Sequence, residues 1–392
     1  MSGRPLVYLD SAATTQRARD AVQAMDELFA RRNANIHQEG FALAREAKSM
    51  ADEGRATLAT FIGARRPEEV VHVDGSTEGI NLVMTTWGLD NLRRSHNIVL
   101  TTQEHLSNLL PWQILSKRTG CELRFIESDD TGKLRLEQLS SVITRRTKLV
   151  ALPHVSNVLG HINPVDAVVE RAREVGARVL VDGAQSTPHI PIDVRALGCD
   201  FFVFSGHKML GPFGSSVMWA RHELLEEMTP YNAGGGSVEK ATLKRAEYKD
   251  PPQKFEGGTD NPAGTVGLAA AVKLLRDTGE RRIMDYERRL TEHGLERLMN
   301  VPKLRLIGSF LPEDRLPIFS FVIDGYTGSE LATKLGNRGI AVSGGSLNAG
   351  PCLAQFGLEE ATRASCYVYN TLEELDVLAE ALTELSAEAG RR

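Results

Sequence analysis

Between residues 70 and 220 the chain alternates short apolar runs with amphipathic segments. The runs are VVHV (70–73), NIVLTT (97–102), LRFI (123–126), KLVALPHV (148–155), RVLVDGA (178–184), DFFVFSG (200–206) and SSVMWA (215–220). Rich in Val, Leu and Phe and too short for core helices, they predict buried β-strands. Between them, LEQLSSVI (136–143) and PVDAVVERAREVG (164–176) carry helical patterns, with Pro164 near a helix start and Gly176 near its end. The alternation predicts an α/β fold, a mostly parallel sheet with helices on both faces. Ligands of such sheets bind beyond the carboxyl ends of the strands.

The rhythm breaks at 230–262, where NAGGGS (232–237) and KDPPQKFEGGTDNPAG (249–264) predict a long functional loop. Helical patterns follow in GLAAAVKLL (267–275) and RIMDYERRLTEHGLERL (282–298), then strands in LRLIG (304–308) and PIFSFVI (317–323), and a last helix. The expected division is an N-terminal arm (1–20) packing on a small α+β domain (263–392), with a large domain (21–262) between them in sequence.

Charge and cysteine content narrow the class. The 392 residues carry 46 Lys and Arg against 51 Asp and Glu, a net −5 with no basic run, which speaks against nucleic acid and anionic membrane as partners. No apolar stretch approaches a signal core or a membrane span. Cys121, Cys199, Cys352 and Cys366 lie scattered, without metal-like spacing, so reduced thiols in a cytoplasmic protein and no metal are expected.

The chemistry concentrates at strand ends. FVFSGHKMLGP (202–212) is apolar enough for a buried strand, yet ends in Ser205, Gly206, His207 and Lys208. A lysine is rarely buried unless paired or chemically used, so Lys208 either points to water or holds its amine for a Schiff base. VLVDGAQS places Asp182 at another strand end, with Gln185 three residues on. In GSTEGINLV, Gly75, Ser76 and Thr77 precede a helix, a setting that suits a phosphate or simply caps the turn. TTQEHLSN adds His105, which could stack on a ring. Together these call for pyridoxal 5′-phosphate (PLP), whose carbonyl takes the lysine and whose ring nitrogen an acid keeps protonated.

Nine ordered motifs then carry a resemblance: YLDSAATTQ, ANIH, GSTEGINLV, EHLSN, HVSNVLG, VDGAQSTPH, DFFVFSGHKMLGP, KFEGGTDN and RASCYVYNT. Over nearly its whole length the chain resembles fold-type I PLP enzymes of the class V aminotransferase family, and most closely cysteine desulfurases and selenocysteine lyases. The resemblance implies that Lys208 is the PLP lysine, that Ser76, Thr77, Ser205 and His207 lie on the phosphate, and that His105 stacks on the ring. It sets Asn157 and Gln185 beside the ring oxygen and Asp182 on the pyridine nitrogen. Thr259 would reach the phosphate of a second subunit, implying a homodimer with shared sites. Arg363 would grip the α-carboxylate of an amino-acid substrate, with Asn35, His37 and Asn348 also on the substrate side.

The pattern breaks where desulfurases carry a nucleophilic cysteine in Arg-(Ser/Thr)-Gly-His-His-Cys. The matching stretch is VSGGSLNAGPCLAQFG (342–357). There Ser343 stands for the arginine, Ser346 and Leu347 for the histidines, and Asn348 for the cysteine. Gln38, Phe41 and Asp74 also depart from the group's usual arginine, histidine and basic residue. An asparagine cannot accept sulfur. The expectation is therefore a PLP-dependent carbon–sulfur β-lyase acting on an S-substituted cysteine or related amino acid in specialised biosynthesis. The alternatives are an aminotransferase, epimerase or decarboxylating deaminase, a desulfurase or sulfurtransferase using Cys352, and a catalytically silent scaffold.

Overall fold

The computed structural model describes residues 5–389. The arm carries β1 (Val7–Tyr8). Seven strands form the large sheet: β2 (Val70–Val73), β3 (Asn97–Thr101), β4 (Glu122–Ile126), β5 (Thr147–Pro153), β6 (Arg178–Asp182), β7 (Phe201–Ser205) and β8 (Ser216–Ala220). Their order is β2-β8-β7-β6-β5-β3-β4. Only β8 runs antiparallel to its neighbours. Each strand coincides with one of the apolar runs. Strands β5 to β8 are buried almost throughout, which is why they read as continuous rather than alternating hydrophobic runs.

The long loop expected at 230–262 contains a short antiparallel hairpin, β9 (Val238–Ala241) with β10 (Ala246–Tyr248). Both strands are largely exposed, so neither face carries an apolar period from which to recognise a strand. A second sheet follows from β11 (Leu304–Ile307), β12 (Ile318–Ile323), β14 (Ser343–Gly345) and β15 (Ala361–Ser365), in the order β11-β12-β15-β14 and antiparallel throughout. Between β12 and β14 lies β13 (Ile340–Ala341), which pairs in parallel with β1. Leu9 joins Phe319, Phe321, Leu378 and Leu382 in the core of this part, so the arm is sewn to it by backbone and by packing.

The helix Pro262–Thr278 departs from the expected division. It packs on the helices Arg19–Arg31 and Ala42–Phe61. Its Leu268, Ala271, Val272 and Leu275 share one core with Val150, Val181, Phe202 and Phe204 of the large sheet. The chain therefore passes to the second sheet only after this helix, later than residue 262. Composition marked the end of the loop, and the apolar face of the helix decided which core it joins.

Candidate active site

Register brings the carboxyl ends of the central strands together. Pro153 of β5 pairs with Asp182 of β6, and Asp182 with Val203 of β7. Directly after β7, Gly206–Lys208 makes a single 3-10 turn. A Cβ on Gly206 would sit 2.2 Å from the Ser215 carbonyl, so only glycine allows the chain to turn there.

These ends line a cavity of about 450 Å³. Ser76, Thr77, His105, Asn157, Asp182, Gln185, Ser205, His207, Lys208, Asn348 and Arg363 all reach it. Three expected residues do not. His37 and Thr259 line a separate cavity of about 420 Å³. The Asn35 side chain accepts a hydrogen bond from the His37 N–H at 2.9 Å and lines neither.

Burial pushes the Lys208 amine down to about 8, against the attraction of Asp182 and with the repulsion of Arg363. Asp182 is raised by burial, while the Ala184 N–H at 3.0 Å and Lys208 oppose the rise. Burial, with Lys208 and Arg363 nearby, takes His105 down to about 4. Its Nδ1 accepts the Ser107 N–H at 3.1 Å, which leaves the ring proton on Nε2. Ser76 and Ser205 hydroxyls meet at 2.8 Å, joining the helix start to the end of β7.

Arg363 sits on β15, 4% exposed. Its Nη1 donates to the Asn157 carbonyl at 3.0 Å and its Nη2 to Ser343 Oγ at 3.2 Å, with Asp10 Oδ1 3.4 Å away. Ser343 in turn donates to Asp10 at 2.6 Å. Asp10 had no expected role. It lies in the arm motif YLDSAATTQ, and the pairing of β1 with β13, continued by the bridge of Asp10 to Ser365 of β15, carries it to the arginine. Glu104 was also missed. Buried and pushed up to about 8, it binds the Thr101 N–H and hydroxyl and the Asn108 amide, bracing the turn that carries His105.

The donor set fits PLP. A lysine amine of lowered pKa and a buried carboxylate share one cavity, next to hydroxyls at a helix start. Two buried polar atoms facing this region lack partners, Asn157 Oδ1 and Arg363 Nε. Both belong to residues lining the cavity and are free to bond to a molecule held there. Among the described residues no cluster of His, Cys, Asp or Glu could hold a metal ion.

Residues 7–378 match the family described as aminotransferase class-V. The chain is 43% identical over 390 residues to a probable cysteine desulfurase of Mycolicibacterium paratuberculosis, covering all of this chain and 56% of that protein. It is 42% identical to a probable cysteine desulfurase of Streptomyces coelicolor, covering 97% and 92%. The chain spans little more than half of the first of these relatives. Among solved structures, an apo cysteine desulfurase from Thermococcus onnurineus superposes with a TM-score of 0.94 at 35% identity, covering 98% of this chain and 95% of that one. The fold is thus fold type I and the cofactor PLP. A cavity that gathers a lysine and a carboxylate from strand ends of the large sheet and an arginine from the second sheet, together with this match along almost the whole chain, makes the protein a member of the class V aminotransferase family.

Proposed function

We propose that the chain cleaves the Cβ–S bond of an S-substituted cysteine by β-elimination, so that conjugate and water yield thiol, pyruvate and ammonium. The observation that carries this reading is the lining of the cavity. Asn348 faces it, and among the described residues no cysteine does. Cys352 is fully buried in an apolar cluster with Val158, Leu159 and Leu353, and its thiol is pushed up to about 12 by burial and by Glu104. A thiol in that state is neither accessible nor ionised.

When bound, PLP withdraws electrons from the substrate α-carbon. Lys208 Nζ, with a pKa of about 8, takes the α-proton and can return one to the departing sulfur. Asp182 would hold a proton at the ring nitrogen of bound PLP, and its raised pKa favours such sharing. His105 would cover the ring as a neutral imidazole, adding bulk without charge. Arg363 offers its unpartnered Nε–H and the charge of its guanidinium to the α-carboxylate. In this reading Thr259 serves the site of a second copy of the chain, and the enzyme works as a cytoplasmic homodimer. No helix among the described residues is long and apolar enough to cross a membrane.

A second reading has the stronger support from the relatives, which are named cysteine desulfurases. In it sulfur passes to Cys352, which must leave its apolar cluster to receive it. Product analysis separates the two. Incubation with cysteine and with bulky S-conjugates is expected to yield thiol and pyruvate, unchanged in Cys352→Ser. Alanine in equal amount to a persulfide on Cys352 would establish the desulfurase instead.

A further inference from the structure

The turn 346–349 has a fixed backbone from which one side chain projects. Leu347 and Asn348 both have positive φ, 53° and 52°. The Ala349 N–H closes the turn on the Ser346 carbonyl at 3.0 Å. Asparagine tolerates this left-handed backbone, whereas leucine pays strain to adopt it. Strain of this kind persists only where the surroundings enforce it. Here they do so at three points. The Leu347 carbonyl accepts from Asn157 Nδ2 at 2.9 Å, the Asn348 carbonyl accepts from the Leu106 N–H at 2.8 Å, and the Leu347 side chain is buried beside Val158, Leu159 and Leu353. Two of these anchors belong to the segments that carry Asn157 and His105, so the turn is tied to the floor of the cavity. The Asn348 side chain, by contrast, is exposed on the cavity wall, and its amide has no hydrogen-bond partner among the described residues.

We propose that Asn348 is a specificity-determining residue that reads a neutral hydrogen-bonding group, such as a carboxamide, on the sulfur substituent of the substrate. An amide side chain both donates and accepts, so it pairs with another amide through two hydrogen bonds. The neighbouring wall is formed by Ser343, Gly344 and Ser346, which add no charge and little bulk. The charged groups of the cavity, Lys208, Asp182 and Arg363, are already engaged with cofactor or α-carboxylate in the proposed function, on which this inference rests.

The test measures binding apart from cleavage. Holoenzyme carrying Lys208→Ala, which retains the cavity without the proposed base, is titrated calorimetrically with three cysteines bearing S-carbamoylmethyl, S-isobutyl and S-(2-aminoethyl) groups. The isobutyl group copies the shape of the carbamoylmethyl group without its polar atoms. The carbamoylmethyl compound is expected to bind about tenfold more tightly than the isobutyl one, the yield of two modest hydrogen bonds. Adding Asn348→Gly, which keeps the left-handed backbone, should erase that difference. Adding Asn348→Asp should shift the preference to the aminoethyl compound. Equal binding of carbamoylmethyl and isobutyl compounds in the parent, or a difference that survives Asn348→Gly, would overturn the assignment. These outcomes do not depend on which bond is cleaved, which the product analysis reports separately.

Discussion

Asp10 and Arg363 face each other at 3.4 Å across the hydroxyl of Ser343, which donates to the acid at 2.6 Å and accepts from the arginine at 3.2 Å. Two residues 353 positions apart thereby form one partly buried unit, one from the arm and one from the second sheet. The carboxylate holds one edge of the guanidinium and leaves Nε free. Ser343→Ala should remove both hydrogen bonds and let the arginine swing. Loss of these partly buried contacts, with those to Asn157 and Asp10 still in place, costs on the order of 1 kcal/mol, so KM for the amino acid should rise by about fivefold while kcat changes little. Steady-state kinetics with one substrate would check the split, and an equal fall in kcat would contradict a role in carboxylate positioning.

Lys208 is expected to carry the cofactor. The purified protein should be yellow, and borohydride should fix the label covalently to Lys208 in a peptide map. Asp182→Ala should fold and bind cofactor yet lose most activity, because the ring nitrogen loses its proton partner. A label on another lysine would refute the site.

Two limbs of pH dependence, in separate windows and of the same sign, follow from the buried bases. The Lys208 ammonium is disfavoured by folding, so between about 8 and its usual value near 10.5 the unfolded chain holds a proton that the native chain lacks. Its contribution to stability therefore increases as pH rises through that window. Unfolding of the apoprotein at pH 8 and pH 10 should show wild type gaining on Lys208→Met. His154, pushed down to about 4 by burial, has the same sign in a more acidic window. Below its usual value of 6.5 the unfolded chain takes a proton first, so stability falls as pH drops from 6.5 to 4, less steeply in His154→Gln.

Leu347→Gly sets two effects against each other. Glycine relieves the left-handed strain, worth about 1–3 kcal/mol, but removes a buried leucine, worth about 2–5 kcal/mol. Packing wins. The variant should be less stable by about 2 kcal/mol, read in denaturant titration, and a gain in stability would show that the leucine is held for reasons other than packing.

Thr259 lines the second cavity with His37, away from Lys208 of its own chain. If it serves a second copy, Lys208→Ala and Thr259→Ala subunits, each impaired alone, should recover activity when mixed, because some sites then carry neither lesion. Sedimentation should give a dimer. A fully active monomer would remove this part of the proposal.

Much was legible in the chain itself. The seven strands of the large sheet could be read because burial on both faces leaves unbroken apolar runs, and Lys208, Asp182 and the Ser76–Thr77 pair could be placed at one cavity because polar residues that follow such runs fall at the carboxyl ends of the strands. The hairpin β9–β10 could not be read, since exposed strands leave no period. Nor could the placement of the helix Pro262–Thr278, because an apolar face does not say which core it will meet. Contacts between distant segments depended on tertiary structure alone. Pairing of β1 with β13 and the bridge of Asp10 to Ser365 brought Asp10 to Arg363, and the packing of Leu347 with the carbonyl contacts from Asn157 and Leu106 turned a run of small residues into a fixed wall. Local sequence sets the conformations a segment can adopt, but which of its polar atoms find partners is decided by residues hundreds of positions away.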